Sequence, residues 1–154
     1  MNILGDKESN QRNKERSQQC NNVQVFLASK MPFPYALSRM SHVKDPALAE
    51  QGRLNLEVAE KRMSALLKVR ERFAKEKPFK DLTIGMALHV TKETGILVRT
   101  LTAGGAQVAI TGCNPLSTQD DVAAALAEEE NVLVWAYKGE TNEDYYKFLT
   151  AVIE

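Results

Sequence analysis

Leu82-Thr-Ile-Gly-Met-Ala-Leu-His-Val-Thr-Lys-Glu-Thr94 is the stretch whose reading decides the fold. An apolar run of strand length, without strict alternation, suits a strand buried on both faces, as in a parallel sheet. It stops at His89, and polar residues follow at once. Thr91 or a neighbour can cap the next helix, whose apolar positions Ile96, Leu97 and Leu101 recur at helical spacing. His89, Thr91 and Glu93 then stand where a parallel strand ends and its helix begins, the edge at which open α/β sheets bind ligands.

Two further strand–helix units follow. A helix closed by Gly104-Gly105 leads to a strand at Gln107 to Thr111 and the turn Gly112-Cys-Asn-Pro115. Ser117, with Asp120 three residues on, is expected to cap a helix carrying Val122, Ala123, Leu126 and Ala127 inward. The third strand, Val132 to Tyr137, runs into Lys138-Gly-Glu-Thr141, where Thr141 and Asp144 repeat the capping pattern ahead of Tyr145, Phe148, Leu149 and Val152. Such succession implies a parallel sheet with right-handed crossovers. Upstream, Asp45-Pro46 starts a helix expected to run unbroken to about Lys75, with Ala59, Met63, Leu66, Val69 and Phe73 inward and Arg70-Glu71-Arg72 solvated. Residues 1–41, rich in Asn, Gln, Lys and Ser and interrupted by Met31-Pro-Phe-Pro34, are expected to be a disordered or extended tail. The fold class is therefore α/β: a partial Rossmann-like three-layer domain over 42–154 with a short parallel sheet, preceded by a long helix and a disordered N-terminal tail.

The 154 residues allow one domain, and 20 basic against 20 acidic side chains create no global field for nucleic acid or anionic lipid. No apolar run reaches the roughly 20 residues of a membrane span, and the start lacks a secretory signal. Cys20 and Cys113 form no metal-ligand spacing or disulfide framework, which suits a reducing cytoplasm.

Three strand ends thus bring His89 to Glu93, Cys113 to Asp120 and Lys138 to Thr141 to one edge. His89 suits acid–base work near neutrality, or equally a structural ring bonded to backbone. Thr91 and Glu93 can read a ligand's donor and acceptor edge, cap a helix, or both. Glu93 lies four residues from His89, but no third ligand completes a metal site. No base near Cys113 is evident from spacing, so a buried thiol is expected there. Asp120 and Asp121 read as first-turn acids that favour the helix dipole. No glycine-rich phosphate loop follows a strand, so no dinucleotide site is expected.

Leu88-His-Val-Thr-Lys-Glu-Thr94, Cys113-Asn-Pro-Leu-Ser-Thr-Gln-Asp-Asp121 and Lys138-Gly-Glu-Thr-Asn-Glu143 closely resemble the N-terminal substrate-binding region of the S-adenosyl-L-homocysteine hydrolases, as do Lys44-Asp-Pro-Ala-Leu-Ala-Glu50 and Arg70-Glu-Arg-Phe73. The resemblance runs from about His42 to the C-terminus. It implies a cytoplasmic, homo-oligomeric, NAD-dependent enzyme that reversibly cleaves S-adenosylhomocysteine to adenosine and homocysteine. Bound NAD oxidises the ribose 3′-hydroxyl, homocysteine is eliminated, water adds, and the ketone is reduced. By that resemblance His89 is the acid/base near the 5′ leaving group. Leu88, Thr91 and Glu93 line the adenine pocket, and Cys113, Asn114, Ser117, Thr118, Gln119 and Asp120 line or support the cleft. The sequence departs from the family at Met86-Ala87, where a Cys is usual, and at Lys147, where a Trp is common. The ribose-binding residues and NAD domain of the family lie beyond Glu154. A truncated hydrolase, inactive by itself and binding no cofactor, is therefore expected. The alternative is a non-catalytic module that binds adenine-type ligands or regulates a full-length hydrolase.

Overall fold

The computed structural model describes residues 24–28 and 40–153. Four strands form one sheet in the order β1 (Gln24–Ala28), β2 (Thr83–Leu88), β3 (Gln107–Gly112) and β4 (Val132–Trp135). β2, β3 and β4 run parallel, as the strand–helix succession requires, with Leu88 opposite Gly112 and Thr111 opposite Trp135. β1 pairs antiparallel with β2, Gln24 opposite Ala87 and Ala28 opposite Thr83. It falls inside the segment expected to be tail; the remainder of that segment up to residue 39 lies outside the described residues.

Among the described residues five α-helices pack on the sheet: α1 (Ala49–Glu60), entered through a 3-10 turn at Pro46–Leu48, α2 (Ser64–Glu76), α3 (Lys92–Ala103), α4 (Asp120–Ala127) and α5 (Asn142–Ile153). Side-chain alternation along the strands divides them into two layers. Ile84, Met86, Val108, Ile110, Val132 and Val134 meet Leu56, Ile96, Val98, Val122 and Leu126 of α1, α3 and α4. Ala109 and Trp135 meet Phe148 and Val152 of α5 on the opposite face. Each such large side chain taken from water contributes about 1.5–3 kcal/mol.

The long N-terminal helix is in fact two. The amides of Arg62 and Met63 reach back only to the carbonyls of Ala59 and Glu60, and Met63 leaves the helical region at φ −112°, ψ 49°. No Pro or Gly marks the break. Packing makes it: one straight helix over that span would be about 40 Å long at 1.5 Å per residue and could bury a single stripe. The turn lets α1 lie on α4 and α3 while α2 lies along α3. It is held by Glu60, which pairs with Arg70 of α2 and with Arg99 of α3, while Arg99 also pairs with Glu129. Arg70 is therefore half-buried, not solvated as expected. α2 stops at Lys77, which adopts the left-handed conformation ahead of Pro78.

The outer edge of β4 is covered by the chain ahead of α1. His42 donates its amide to the Val134 carbonyl and accepts from Ala136, and Ser41 Oγ accepts from the Val134 amide. His42 also packs against Tyr137 and Phe148.

α1 crosses α4 at Gly52, where a Cβ would collide with the Asp121 backbone carbonyl and sit 2.8 Å from the Ala125 Cβ. At Gly95 of α3 a Cβ would instead meet the end of the Leu56 side chain, which can move. Gly→Ala in a helix normally stabilises by up to about 1 kcal/mol. Here Gly52→Ala should destabilise by about 1–3 kcal/mol, the range for overpacking, and Gly95→Ala by clearly less. Urea unfolding of both variants checks the order.

Candidate functional site

The Leu88–Gly112 register places the residues that leave β2 beside those that leave β3. The Cys113 amide donates to the Leu88 carbonyl at 3.1 Å, so the parallel ladder continues one step past the strands. Three side chains then converge on one nitrogen of His89. Nδ1 lies 2.7 Å from Ser117 Oγ, 3.0 Å from Asn114 Nδ2 and 3.3 Å from Cys113 Sγ. Cys113 is fully buried and His89 half-buried. The fold thus brings a base to Cys113 that sequence spacing could not reveal, while burial leaves the thiol unexposed, as expected.

The amide of Asn114 determines which ring nitrogen carries the proton. Its Oδ1 accepts from the Leu116 amide at 2.9 Å and the Ser117 amide at 3.0 Å, so Nδ2 is the atom that faces His89. An amide nitrogen only donates, and a protonated Nδ1 would meet it donor to donor. Neutral His89 therefore accepts at Nδ1 and carries its proton on Nε2, whose N–H can give that proton to a ligand atom.

The remaining residues marked from sequence divide between this constellation and its scaffold. Thr91 occupies the N-cap position of α3, but its side chain makes no capping bond; Gln119 Oε1 accepts from the Lys92 amide instead. The Gln119 amide donates to the Val90 carbonyl. Ser117 is not the cap of α4, because that helix starts at Asp120 with Gln119 as its N-cap and Ser117 is engaged with His89. Asp120 Oδ1 accepts from the Lys138 amide at 2.7 Å and its Oδ2 faces Lys44 Nζ at 3.6 Å. Leu88 packs against the main core, and Glu93 is exposed on the first turn of α3. Thr118 is buried at 2% exposure.

The loop after β4 is fastened to the same constellation. The Gly139 amide donates to the Pro115 carbonyl at 2.6 Å. Thr141 and Asp144 form the expected capping box: the Asp144 amide donates to Thr141 Oγ1, and Asp144 accepts from the Thr141 hydroxyl. The Tyr137 hydroxyl donates to Asp144 at 2.6 Å, a bond that, with burial, pushes the Tyr137 phenol up to about 12 and holds the Asp144 carboxyl below its ordinary value. Between these paired groups sits Glu140, which residue-by-residue reading of the sequence did not mark. It is 4% exposed, and neither carboxylate oxygen has a hydrogen-bond partner among the described residues. Burial, helped by the nearby Asp144 charge, pushes its carboxyl up to about 7; the Tyr137 backbone N–H, near but short of hydrogen-bond geometry, offsets only part.

Residues 40–154 match the family model of S-adenosyl-L-homocysteine hydrolase. The chain belongs to that family. An S-inosyl-L-homocysteine hydrolase of Methanococcus maripaludis is 54% identical over 115 residues, 75% of this chain and 28% of that protein. The adenosylhomocysteinases of Sulfurisphaera tokodaii and Aquifex aeolicus are 55% and 56% identical over 112 residues, 73% of this chain and 27% of each protein. The chain therefore spans little more than a quarter of these relatives. Every residue of the His89 constellation lies inside the segment matched by the hydrolase family. The nicotinamide cofactor that family resemblance brings with it has no fitting cradle among the described residues. The one Gly-Gly pair, Gly104-Gly105, closes α3 instead of opening a helix, with Gly105 at φ +94°.

Two measurements check this geometry in the hydrolase-family chain. Long-range ¹H–¹⁵N correlation on its two histidines should show His89 as the Nε2–H tautomer, and Asn114→Asp should move the proton to Nδ1, because the group facing it then accepts. For Glu140, the folded-state value lies above the ordinary 4.5, so folding favours the protonated acid. Its contribution is full below about pH 4.5 and is lost as pH rises through about 7. Thermal melts in tetramethylammonium buffers should show that decline, and Glu140→Gln should remove it.

Proposed function

We propose that this chain forms the part of an S-nucleosyl-L-homocysteine hydrolase that receives the nucleoside, with His89 as the group that handles the proton at the 5′ thioether. The observation that supports this most is the convergence of Asn114, Ser117 and Cys113 on His89 Nδ1. It leaves the ring oriented, in one tautomer, with Nε2 available. When the C5′–S bond breaks, the electron pair leaves with sulfur. An imidazole N–H beside it can supply the proton, and the same nitrogen can take one from water in the reverse sense. Redox steps of the family belong to residues and a cofactor other than those described here.

In this reading Thr91 and Glu93, at the start of α3, face the purine. The relatives named for adenosyl and for inosyl substrates both match this segment, so the two bases set the question of specificity. Glu93 can accept from the 6-amino group of adenine or from N1–H of hypoxanthine. A carboxylate alone therefore does not choose between them, and the choice rests on what meets the 6-position. His89 then lies toward the ribose end, two residues before Thr91.

Calorimetry on the 154-residue chain tests the reading, with adenosine and inosine titrated separately. At least one nucleoside should bind, and Glu93→Gln should weaken it about tenfold, the value of one charge-assisted hydrogen bond. His89→Ala should leave free nucleoside affinity nearly unchanged, because its work is on the thioether. Absence of heat with both nucleosides at millimolar concentration would remove the proposal.

A further inference from the structure

Gly112, the last residue of β3, has no side chain, and what surrounds its bare Cα is unusual. The point where a Cβ would stand is 3.2 Å from Thr118 Oγ1, 3.3 Å from Glu140 Oε1 and 3.5 Å from the Asn114 carbonyl oxygen. Those are three oxygens contributed by three separate loop positions. Thr118 and Glu140 are 2% and 4% exposed, and among the described residues neither the hydroxyl nor either carboxylate oxygen has a hydrogen-bond partner. Groups so thoroughly removed from water normally meet a donor or a counter-charge. Nearby charge offers the opposite, since Asp144 is the charged group that bears on Glu140 and makes ionisation harder. Lys44, a cation beside the neighbouring loop, is engaged by Asp120 and the Lys138 carbonyl.

We propose that Glu140, Thr118 and the Asn114 carbonyl form a site for a small monovalent cation over Gly112. The donor set is hard oxygen throughout, which suits alkali-type ions and offers nothing to soft metals. A single carboxylate matches one positive charge, whereas calcium and magnesium sites gather more carboxylate or water. The glycine is part of the site, because a Cβ there would stand 3.2–3.5 Å from all three oxygens and crowd an ion held among them. Potassium, sodium and ammonium share this chemistry. A bound ion would hold the Glu140 loop against the 112–118 turn that carries Asn114, and through it the His89 ring. The inference stands independently of the nucleoside assignment.

Thermal melts of the 154-residue chain at pH 8 test it, comparing sodium, potassium and ammonium chloride with tetramethylammonium chloride at equal ionic strength. At least one small cation should raise Tm by a few degrees and saturate, and the same cation should flatten the decline in stability between pH 5 and 7. Glu140→Gln removes the charge, and Gly112→Ala fills the place with a methyl while keeping all three oxygens; each should abolish the response. Gly112 is not among the positive-φ glycines, so its backbone accepts alanine. A second readout on the unmodified chain is ²³Na line broadening, relieved by unlabelled potassium. Equal Tm in all four salts with no sodium broadening would overturn the site, as would a full response in both variants. Glu140 would then be buried beside Gly112 as a neutral carboxylic acid.

Discussion

Everything at the candidate site depends on how β2 and β3 are paired. Parallel strands deliver their carboxyl ends to one edge, but only a particular register makes two side chains meet there. With Leu88 opposite Gly112, His89 and Cys113 leave the sheet side by side, and the Cys113 amide still bonds the Leu88 carbonyl. A slip of β2 by one residue would turn His89 away and exchange the inward and outward sets of that strand. The register is fixed by burial: Ile84 and Met86 must face the same layer as Val108 and Ile110. The hydrophobic core and the alignment of the imidazole are consequences of the same alternation.

Above that frame the loops are joined mainly by backbone groups. Gln119 ties the 117–119 turn to Val90 and to the start of α3. Asp120 and Pro115 hold the Lys138-Gly139 turn through its amides. Bonds of this kind restrict orientation more than they stabilise, each contributing roughly 0.5–1.5 kcal/mol net. The polar residues therefore divide into two groups. Asn114, Gln119, Asp120, Thr141 and Asp144 satisfy each other or the main chain, whereas Glu93 is left exposed and Glu140 is buried without a partner. The buried hydroxyls of Thr111 and Thr118, the latter beside Glu140 at Gly112, likewise lack a partner among the described residues.

Much of this was legible in the residues before any coordinates. The three parallel strands follow from apolar runs bounded by glycine and polar turns, and the Thr141–Asp144 cap follows from its spacing alone. The convergence on His89 was foreseeable only as a neighbourhood, because topology says which strand ends meet but not which atoms. The broken N-terminal helix was invisible for a definite reason. Lys61-Arg62-Met63 contains no residue that disfavours helix, and the break is imposed by the need of α1 and α2 to cover different partners. Ser117 misled because Ser three residues before Asp is a common cap, yet its hydroxyl finds a histidine nitrogen contributed from a distant part of the sequence.

Glu140 is the instructive failure. Within Lys138-Gly-Glu-Thr141 it reads as one more charged residue in a turn, and turns are usually solvated. Its burial comes from contacts that no local pattern encodes. The turn is pinned down by the carbonyl of Pro115, and Glu140 Oε1 comes within 3.3 Å of where a Gly112 Cβ would stand, an approach that a side chain there would crowd. The sequence does hold one usable sign, though a weak one. Gly112 ends a strand at a place where the backbone has no positive φ, so what a side chain would meet there is crowding and not backbone strain. What borders that place is the oxygen of a threonine and of a carboxyl group.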